Sequence, residues 1–154
     1  MLASVGLVEW WAGRAMWSDP HHQCLVGKSS PDAASSQCVV DEWTLVHIQH
    51  GLLVVVLRSW LFPLMQKRTL LRLGMGLESI FEMVENQDWA VRLWRIDKYR
   101  GDTVINSFCD LFACWFGLEL GWRLGIRKSF VVGIAIELLR QWWRRECARH
   151  HWAC

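Results

Sequence analysis

Residues 104–122 read VINSFCDLFACWFGLELGW, and this stretch decides the fold class. Apolar and aromatic side chains would cover almost the whole circumference of a helix built on it, interrupted only by isolated acids, Asp110 and Glu119. A helix that is apolar all round is buried either in a large core or in lipid, and a chain of 154 residues cannot supply a large core. The stretch therefore predicts a membrane-inserted helix.

Other helical patterns lie on both sides of this stretch, and no strand-like alternation is sustained. Trp43–Met65 contains the apolar run LLVVVL and has Pro63 near its end, Leu70–Asn86 follows, and Ser129–Trp143 is the last. An interrupted apolar piece, Leu2–Trp17, is a further candidate. These patterns predict an all-α fold, a polytopic membrane bundle of four to five helices joined by short basic turns.

We expect one domain over residues 1–154, with an extramembrane loop at 18–42 and a basic tail at 144–154. Hydrophobic residues make up 53% of the chain, charged residues 21%, and the net charge is only +2, which excludes a disordered or nucleic-acid-binding chain. Twelve Trp residues against one Tyr suit a membrane interface, and several fall near predicted helix ends: Trp43, Trp60, Trp122, Trp142 and Trp143. The expected location is a bacterial inner membrane or an organellar membrane, with membrane lipid as a partner.

Ionisable side chains inside the apolar helices are the informative residues, because such groups are costly at membrane depth. Helical spacing places them on three stripes, and if these stripes face one another the bundle core holds two imidazoles and several carboxylates. The stripes are His47 and His50; Glu78, Glu82 and Glu85; and Asp102, Asn106 and Asp110.

Three interpretations of this cluster stay open. A divalent metal site of the helical-bundle type would use His47, His50, Glu82, Glu85 and Asp102 as ligands or acid/base groups, with Asn106 orienting them. Clustered carboxylates could instead relay protons, because they raise one another's pKa. Finally, the acids could pair internally and pin the helices together, in a polar core that also includes Glu78, Asp110, Glu137 and Arg145.

The blocks at residues 78–86 and 99–110 resemble an uncharacterised family of small bacterial membrane proteins, a domain of unknown function. That family shows an E-x-x-W-E-x-x-E-N block, here Glu78 to Asn86, and then a G-D-S-x-x-N-S-x-x-D block, here Gly101 to Asp110. Gly13-Arg14, Asp41, Thr44, His47 and His50-Gly51 follow the family's order upstream, and Glu137 and Arg145 resemble its last acidic and basic positions. A looser similarity extends to VanZ-like membrane proteins.

The resemblance implies a polytopic helical membrane protein without an established reaction. The chain departs from the family pattern at Phe81, where the family has Trp, and in the connection from Asn86 to Gly101, which is shorter. Cys24 and Cys38 lie in one loop, and a disulfide between them would close a loop of about 15 residues, stabilising the fold by about 3 kcal/mol in an oxidising compartment.

Three functions follow as expectations. The first is a non-catalytic accessory or scaffold subunit of a larger membrane complex, such as an organellar energy-converting one, with protein partners along its Trp-rich surfaces. The second is a membrane-embedded, metal-dependent enzyme that acts on a lipid-like substrate through the His and carboxylate cluster. The third is a proton-linked transporter. Apart from a divalent metal, the sequence suggests no cofactor, since nucleotide, phosphate and haem motifs are absent.

Overall fold

The computed structural model describes residues 2–17, 25, 36–94 and 101–150. Within them the chain forms helices, and strand geometry is limited to an isolated bridge at Val40, so the all-α prediction is confirmed. In chain order the helices are α1 (Leu2–Trp11), α2 (Glu42–Leu61), α3 (Lys67–Glu85), α4 (Asp88–Trp94) and α5 (Val104–His150). Most of the predicted loop 18–42 lies outside the described residues, whereas residues 144–150 of the predicted tail continue helix α5.

Helix α2 begins with a capping box. The Asp41 carboxylate accepts from the backbone N–H groups of Trp43 and Thr44, and the Thr44 hydroxyl accepts from the Asp41 N–H. The helix ends at Leu61, two residues before Pro63, because proline provides no N–H to continue the ladder. The capping box fixes the first turn of α2 and thereby the position of His47 along the helix.

Helix α5 is broken at Gly125, whose φ of 72° and ψ of 173° lie outside the helical region. The first half, 104–124, runs alongside α2 in the same direction, with Asp110 beside Thr44 and Gly121 beside Val55. The second half, 126–150, returns along α2, since Gln49 donates to the Gly133 carbonyl. The two predicted helices at the end of the chain are thus a hairpin.

Helices α2 and α5 touch through their backbones at two glycines. A Cβ placed on Gly51 would lie 2.3 Å from the Cys114 carbonyl oxygen, and one on Gly117 would lie 2.2 Å from the Ile48 carbonyl oxygen. Close approach of this kind brings side chains on either helix into mutual contact. Beside the crossing lies a small apolar core of Val55, Leu70, Cys114 and Leu118.

Helix α3 has its polar side inward. Glu78 and Glu82 are buried, whereas a stripe of apolar side chains is exposed on the other side: Leu73, Leu77, Ile80 and Val84. Two helices, α2 and α5, are long and apolar enough to cross a membrane. One element was not predicted: α4 lies in the connection between Asn86 and Gly101, where short basic turns were expected.

Candidate metal centre

His47 lies at the centre of a buried group of three carboxylates from two helices. Its Nδ1 is hydrogen-bonded to Glu78 and lies 3.3 Å from Oε1 of Glu82, while its Nε2 lies 3.7 Å from Oδ2 of Asp110. All four residues are 5% exposed or less. The α2, α3 and α5 stripes therefore face one another at the level of these four residues.

Glu78 joins the two histidines. Its Oε1 lies 3.1 Å and its Oε2 3.2 Å from Nδ1 of His50, so one carboxylate holds both imidazoles. His50 is less enclosed than His47, with 31% of its side chain exposed against 7%. The Phe81 ring packs edge-on against both imidazoles.

Glu82 is fully buried, and neither of its carboxylate oxygens has a hydrogen-bond partner among the described residues. Burying a carboxyl group without partners is costly, so such a group normally carries a proton or meets a cation. Ligand atoms of His47, Glu82 and Asp110 lie within 4.8 Å of one another, as do those of His47, His50 and Glu78. Either group could hold a metal ion.

Asp110 is oriented from the start of α2. The Thr44 hydroxyl donates to its Oδ1 at 2.8 Å, which leaves Oδ2 on the His47 side. The same hydroxyl accepts from the Asp41 N–H, so the capping box and the site share one side chain. Burial raises the pKa of Asp41, and the nearby Asp102 carboxylate acts in the same direction.

A second polar group lies next to this one, at the end of α3. The Asn86 side-chain Nδ2 is within 3.5 Å of four acceptors: Glu9 Oε1, the Glu82 carbonyl, Asp102 Oδ2 and Ser107 Oγ. The Asn86 Oδ1 accepts from the Asp102 N–H at 2.7 Å, which fixes the orientation of the amide. Since an amide nitrogen carries two hydrogens, it cannot satisfy all four acceptors.

Arg14 lies at the edge of this second polar group and hydrogen-bonds to it. Its guanidinium donates to the Asn86 carbonyl and to Asp88, and it packs on Gly101, where a Cβ would lie 2.7 Å from Cζ. Gly101 has a φ of +87°, so both conformation and space favour glycine there. Arg14 thereby links the end of α1 to the end of α3.

Glu9 gives a pH prediction. Burial raises the pKa of Glu9 from the ordinary 4.5 to about 8. The Asp102 carboxylate also raises this pKa, whereas the hydrogen bond with Ser107 and the charge of Arg14 lower it. Because the folded state holds this proton more tightly, its stabilising contribution is complete below pH 4.5 and is lost as the pH rises toward 8.

Glu9→Gln is therefore expected to flatten the decline in melting temperature between pH 5 and about 8. Thermal unfolding in detergent at several pH values measures this, with Glu119→Gln as the control, since Glu119 pairs with Lys67 at the other end of α3. An unchanged slope in Glu9→Gln would contradict the assignment.

Several candidate residues from the sequence lie away from His47. Glu85 lines an apolar pocket of about 300 Å³ between α3 and α4, and Asp102 belongs to the Asn86 group. The Asn106 amide donates to the Cys38 carbonyl rather than to a carboxylate. Glu137 pairs with Arg140, and Arg145 is exposed.

The sequence analysis did not assign Glu9, Thr44 and Ser107 to a site, and the structure places them around it. The one available signal for Glu9 was an acid within the first apolar segment, at a position that helix α1 turns inward. Thr44 and Ser107 were marked only as positions of the family pattern, because a hydroxyl is common in any helix and does not by itself indicate a site.

The family model described as "Protein of unknown function (DUF2585)" matches residues 9–149, which include every residue of both polar groups. The chain belongs to this DUF2585 family. The sequence-based expectation of an uncharacterised bacterial family is thus confirmed.

Three relatives carry the name UPF0314 protein. The chain is 29% identical to the one from Paracoccus denitrificans over 94% of its own length and 69% of the relative's. It is 29% identical to the Brucella anthropi protein over 68% and 56%, and 30% identical to the Sinorhizobium fredii protein over 71% and 58%. The alignments thus span little more than half the length of the latter two relatives. No solved structure matches this DUF2585 chain.

Cys38 of this DUF2585 chain is disulfide-bonded. Cys24, the partner considered from the sequence, lies outside the described residues. Cys109 and Cys114 on α5 are free thiols.

Proposed function

We propose that this chain is a membrane-embedded, metal-dependent enzyme, in which His47, Glu82 and Asp110 bind one divalent transition metal ion. The single observation that carries the proposal is Glu82, a fully buried carboxylate whose two oxygens lack hydrogen-bond partners among the described residues and face the His47 imidazole. A cation beside His47 and Asp110 supplies the missing partner.

Insertion in a membrane is supported by where apolar side chains lie. Only 22% of the residues in the most apolar segment of α2 are buried within the chain. On α3 the side chains that face outward are apolar, whereas those that face inward are acidic. Large exposed apolar surfaces mark lipid or protein contact. Trp60 and Trp122 lie near one end of the bundle and Trp43 and Trp142 near the other, as two aromatic belts would.

The donor set fits a transition metal. Imidazole nitrogen with carboxylate oxygens is a ligand combination used for zinc, manganese and iron. The hydrogen bond from His47 Nδ1 to Glu78 leaves Nε2 for the ion, and a carboxylate that orients a ligating histidine is a usual feature of such sites. Thr44 orients Asp110 in the same way.

Three protein ligands would leave coordination positions open, which is typical of catalytic rather than structural metal sites. A metal ion with an open position supplies activated water near neutral pH. The protein's own contribution is to hold His47 through Glu78 and His50, to hold Asp110 through Thr44, and to exclude bulk water from the buried carboxylates.

A role as an accessory subunit predicts different surroundings for the same residues. Exposed tryptophans such as Trp10, Trp11, Trp60 and Trp89 would then meet neighbouring chains, and the carboxylates would be paired internally without a metal. A proton-linked transporter would conduct through Glu78, Glu82 and Asp110. The lack of a hydrogen-bond partner at the Glu82 oxygens argues against internal pairing, and the imidazole and carboxylate donors grouped around them favour a metal over a proton path.

The test is metal content in the full chain. Wild-type protein in mild detergent, equilibrated with Zn²⁺ or Mn²⁺ and then desalted, is expected to retain one ion per chain and to unfold at a higher temperature. In a parallel sample that is not desalted, with free metal 100-fold above Kd, the expected stabilisation is about 2.7 kcal/mol.

Glu82→Gln and Asp110→Asn are expected to lose both the ion and the thermal shift. Glu119→Gln removes an α5 carboxylate that pairs with Lys67, the first residue of α3, away from His47, so this variant keeps both the ion and the thermal shift. Folded wild-type protein that binds no metal would overturn the proposal, and co-migration of that metal-free protein with a larger complex would support the accessory role.

A further inference from the structure

A groove of about 380 Å³ runs between α2 and the second half of α5. Its walls are mainly apolar, with Leu53, Phe130 and Ile134 about half exposed along it. Three polar side chains lie near the middle of α2, Gln49, His50 and Glu137, while the hydroxyl of the other polar lining residue, Ser129, is turned away to donate to the Gly121 carbonyl. The groove therefore has one polar region and one apolar region.

His50 belongs both to this groove and to the metal centre. Its Nδ1 contacts Glu78, which in turn contacts His47, while its Nε2 has no hydrogen-bond partner among the described residues. With about a third of its side chain exposed, His50 is the histidine through which the buried cluster reaches the surface.

We propose that this groove binds an acyl chain of a membrane lipid, with the carbonyl end of the chain at His50 and Gln49 and the methyl end toward Val56 and Phe130. The inference rests on the proposed function and names the substrate class of the same site. The α2 wall is long and apolar enough to cross a membrane, and Phe130 and Ile134 on the α5 wall are exposed apolar side chains, so a lipid chain can enter sideways.

The shape of the groove supports this occupant. Val46 and Val56, at the two ends of its α2 wall, are ten residues apart, or about 15 Å along a helix, which an extended acyl chain covers. The volume falls in the range of small-molecule pockets, which combine apolar walls with few polar groups. Continuity with the cluster through His50 places the cleavable carbonyl end, rather than the methyl end, near the candidate metal.

Gly133 offers a way to fill the groove without disturbing the fold. It lies in the groove wall, and a Cβ there would meet nothing within 4 Å. Gly76 on α3 has the same open surroundings and lies outside the groove, which makes it the matched control.

The experiment uses full-length protein in detergent with a substoichiometric phosphatidylglycerol that carries a diazirine on its acyl chain. A probe near the carbonyl is expected to label Val46 or Gln49 after irradiation, and a probe near the methyl end to label Val56 or Phe130. Gly133→Leu should reduce labelling at least tenfold, whereas Gly76→Leu should leave it unchanged.

Labelling that survives Gly133→Leu, or that shows the reverse order of the two probes, would overturn the inference. Labelling at Ile80 or Val84 would also overturn it, because the chain would then lie in the pocket between α3 and α4. Metal content measured on the same samples separates the two proposals: normal metal binding without groove labelling removes only the acyl site. Groove labelling without metal removes only the metal centre.

Discussion

Gly117→Ala is expected to destabilise the protein by about 3 kcal/mol or more, although it adds a single methyl group. The new Cβ would lie 2.2 Å from the Ile48 carbonyl oxygen and 3.0 Å from its carbonyl carbon, far inside contact distance. Since the obstacle is backbone and not a flexible side chain, α2 and α5 must separate. Separation would also widen the distance between His47 and Asp110, so metal retention is expected to fall along with stability.

The measurement is reversible unfolding in mixed detergent micelles, followed by circular dichroism. Gly76→Ala is the control, because nothing lies within 4 Å of its Cβ and alanine favours a helix interior over glycine by about 0.5–1 kcal/mol. Gly51→Ala should resemble Gly117→Ala, and the double variant should cost less than the sum, since both open one contact. Equal stability of Gly117→Ala and Gly76→Ala would rule out the close crossing.

His47→Leu is expected to cost about 3–5 kcal/mol in the metal-free protein. The leucine fills much of the space but provides no donor, so Glu78, Glu82 and Asp110 would remain buried around an apolar side chain. Breaking a buried pair by removing one partner leaves uncompensated charge, and this is what makes the loss large. The penalty should shrink in acid, where carboxyl groups are protonated and need no cation.

His50→Leu serves as the matched variant, one helical turn further along α2. It should cost less, because His50 is partly exposed and contacts one carboxylate where His47 contacts three. Adding Glu78→Gln to His47→Leu should recover part of the loss, since an amide replaces the stranded carboxylate. A His47→Leu penalty no larger than that of His50→Leu, or one that does not change with pH, would contradict this description of the cluster.

The positions of the helices follow closely from local sequence. Asp41 with Thr44 starts α2 and Pro63 follows its end, so the predicted range Trp43–Met65 and the observed Glu42–Leu61 differ by a few residues. Helix α4 was missed because seven residues carry too little periodicity to indicate a helix. The reversal at Gly125 was anticipated only as a gap between two helices, because its positive φ is a property of the folded backbone.

The sequence predicted which helices supply the acids and histidines of the candidate site, but not which of these residues meet. Spacing along α3 puts Glu78, Glu82 and Glu85 on one stripe, yet the first two are buried beside His47 while Glu85 faces the α4 side. A stripe of side chains on one helix is longer and wider than the surface that a neighbouring helix covers. Periodicity therefore cannot tell which residues of the stripe are buried.

By itself the amino-acid sequence determined the all-helical fold, the family, and the stripes of acids and histidines, because these depend on residue type and on spacing along one helix. The tertiary structure alone decided that His47 meets Glu78, Glu82 and Asp110. That grouping depends on how closely α2 and α5 cross at Gly51 and Gly117, which is a contact between segments more than 60 residues apart. Glu9 joins the neighbouring group for the same reason: its place is set by α1 packing on α3 and α5, and no local pattern encodes it.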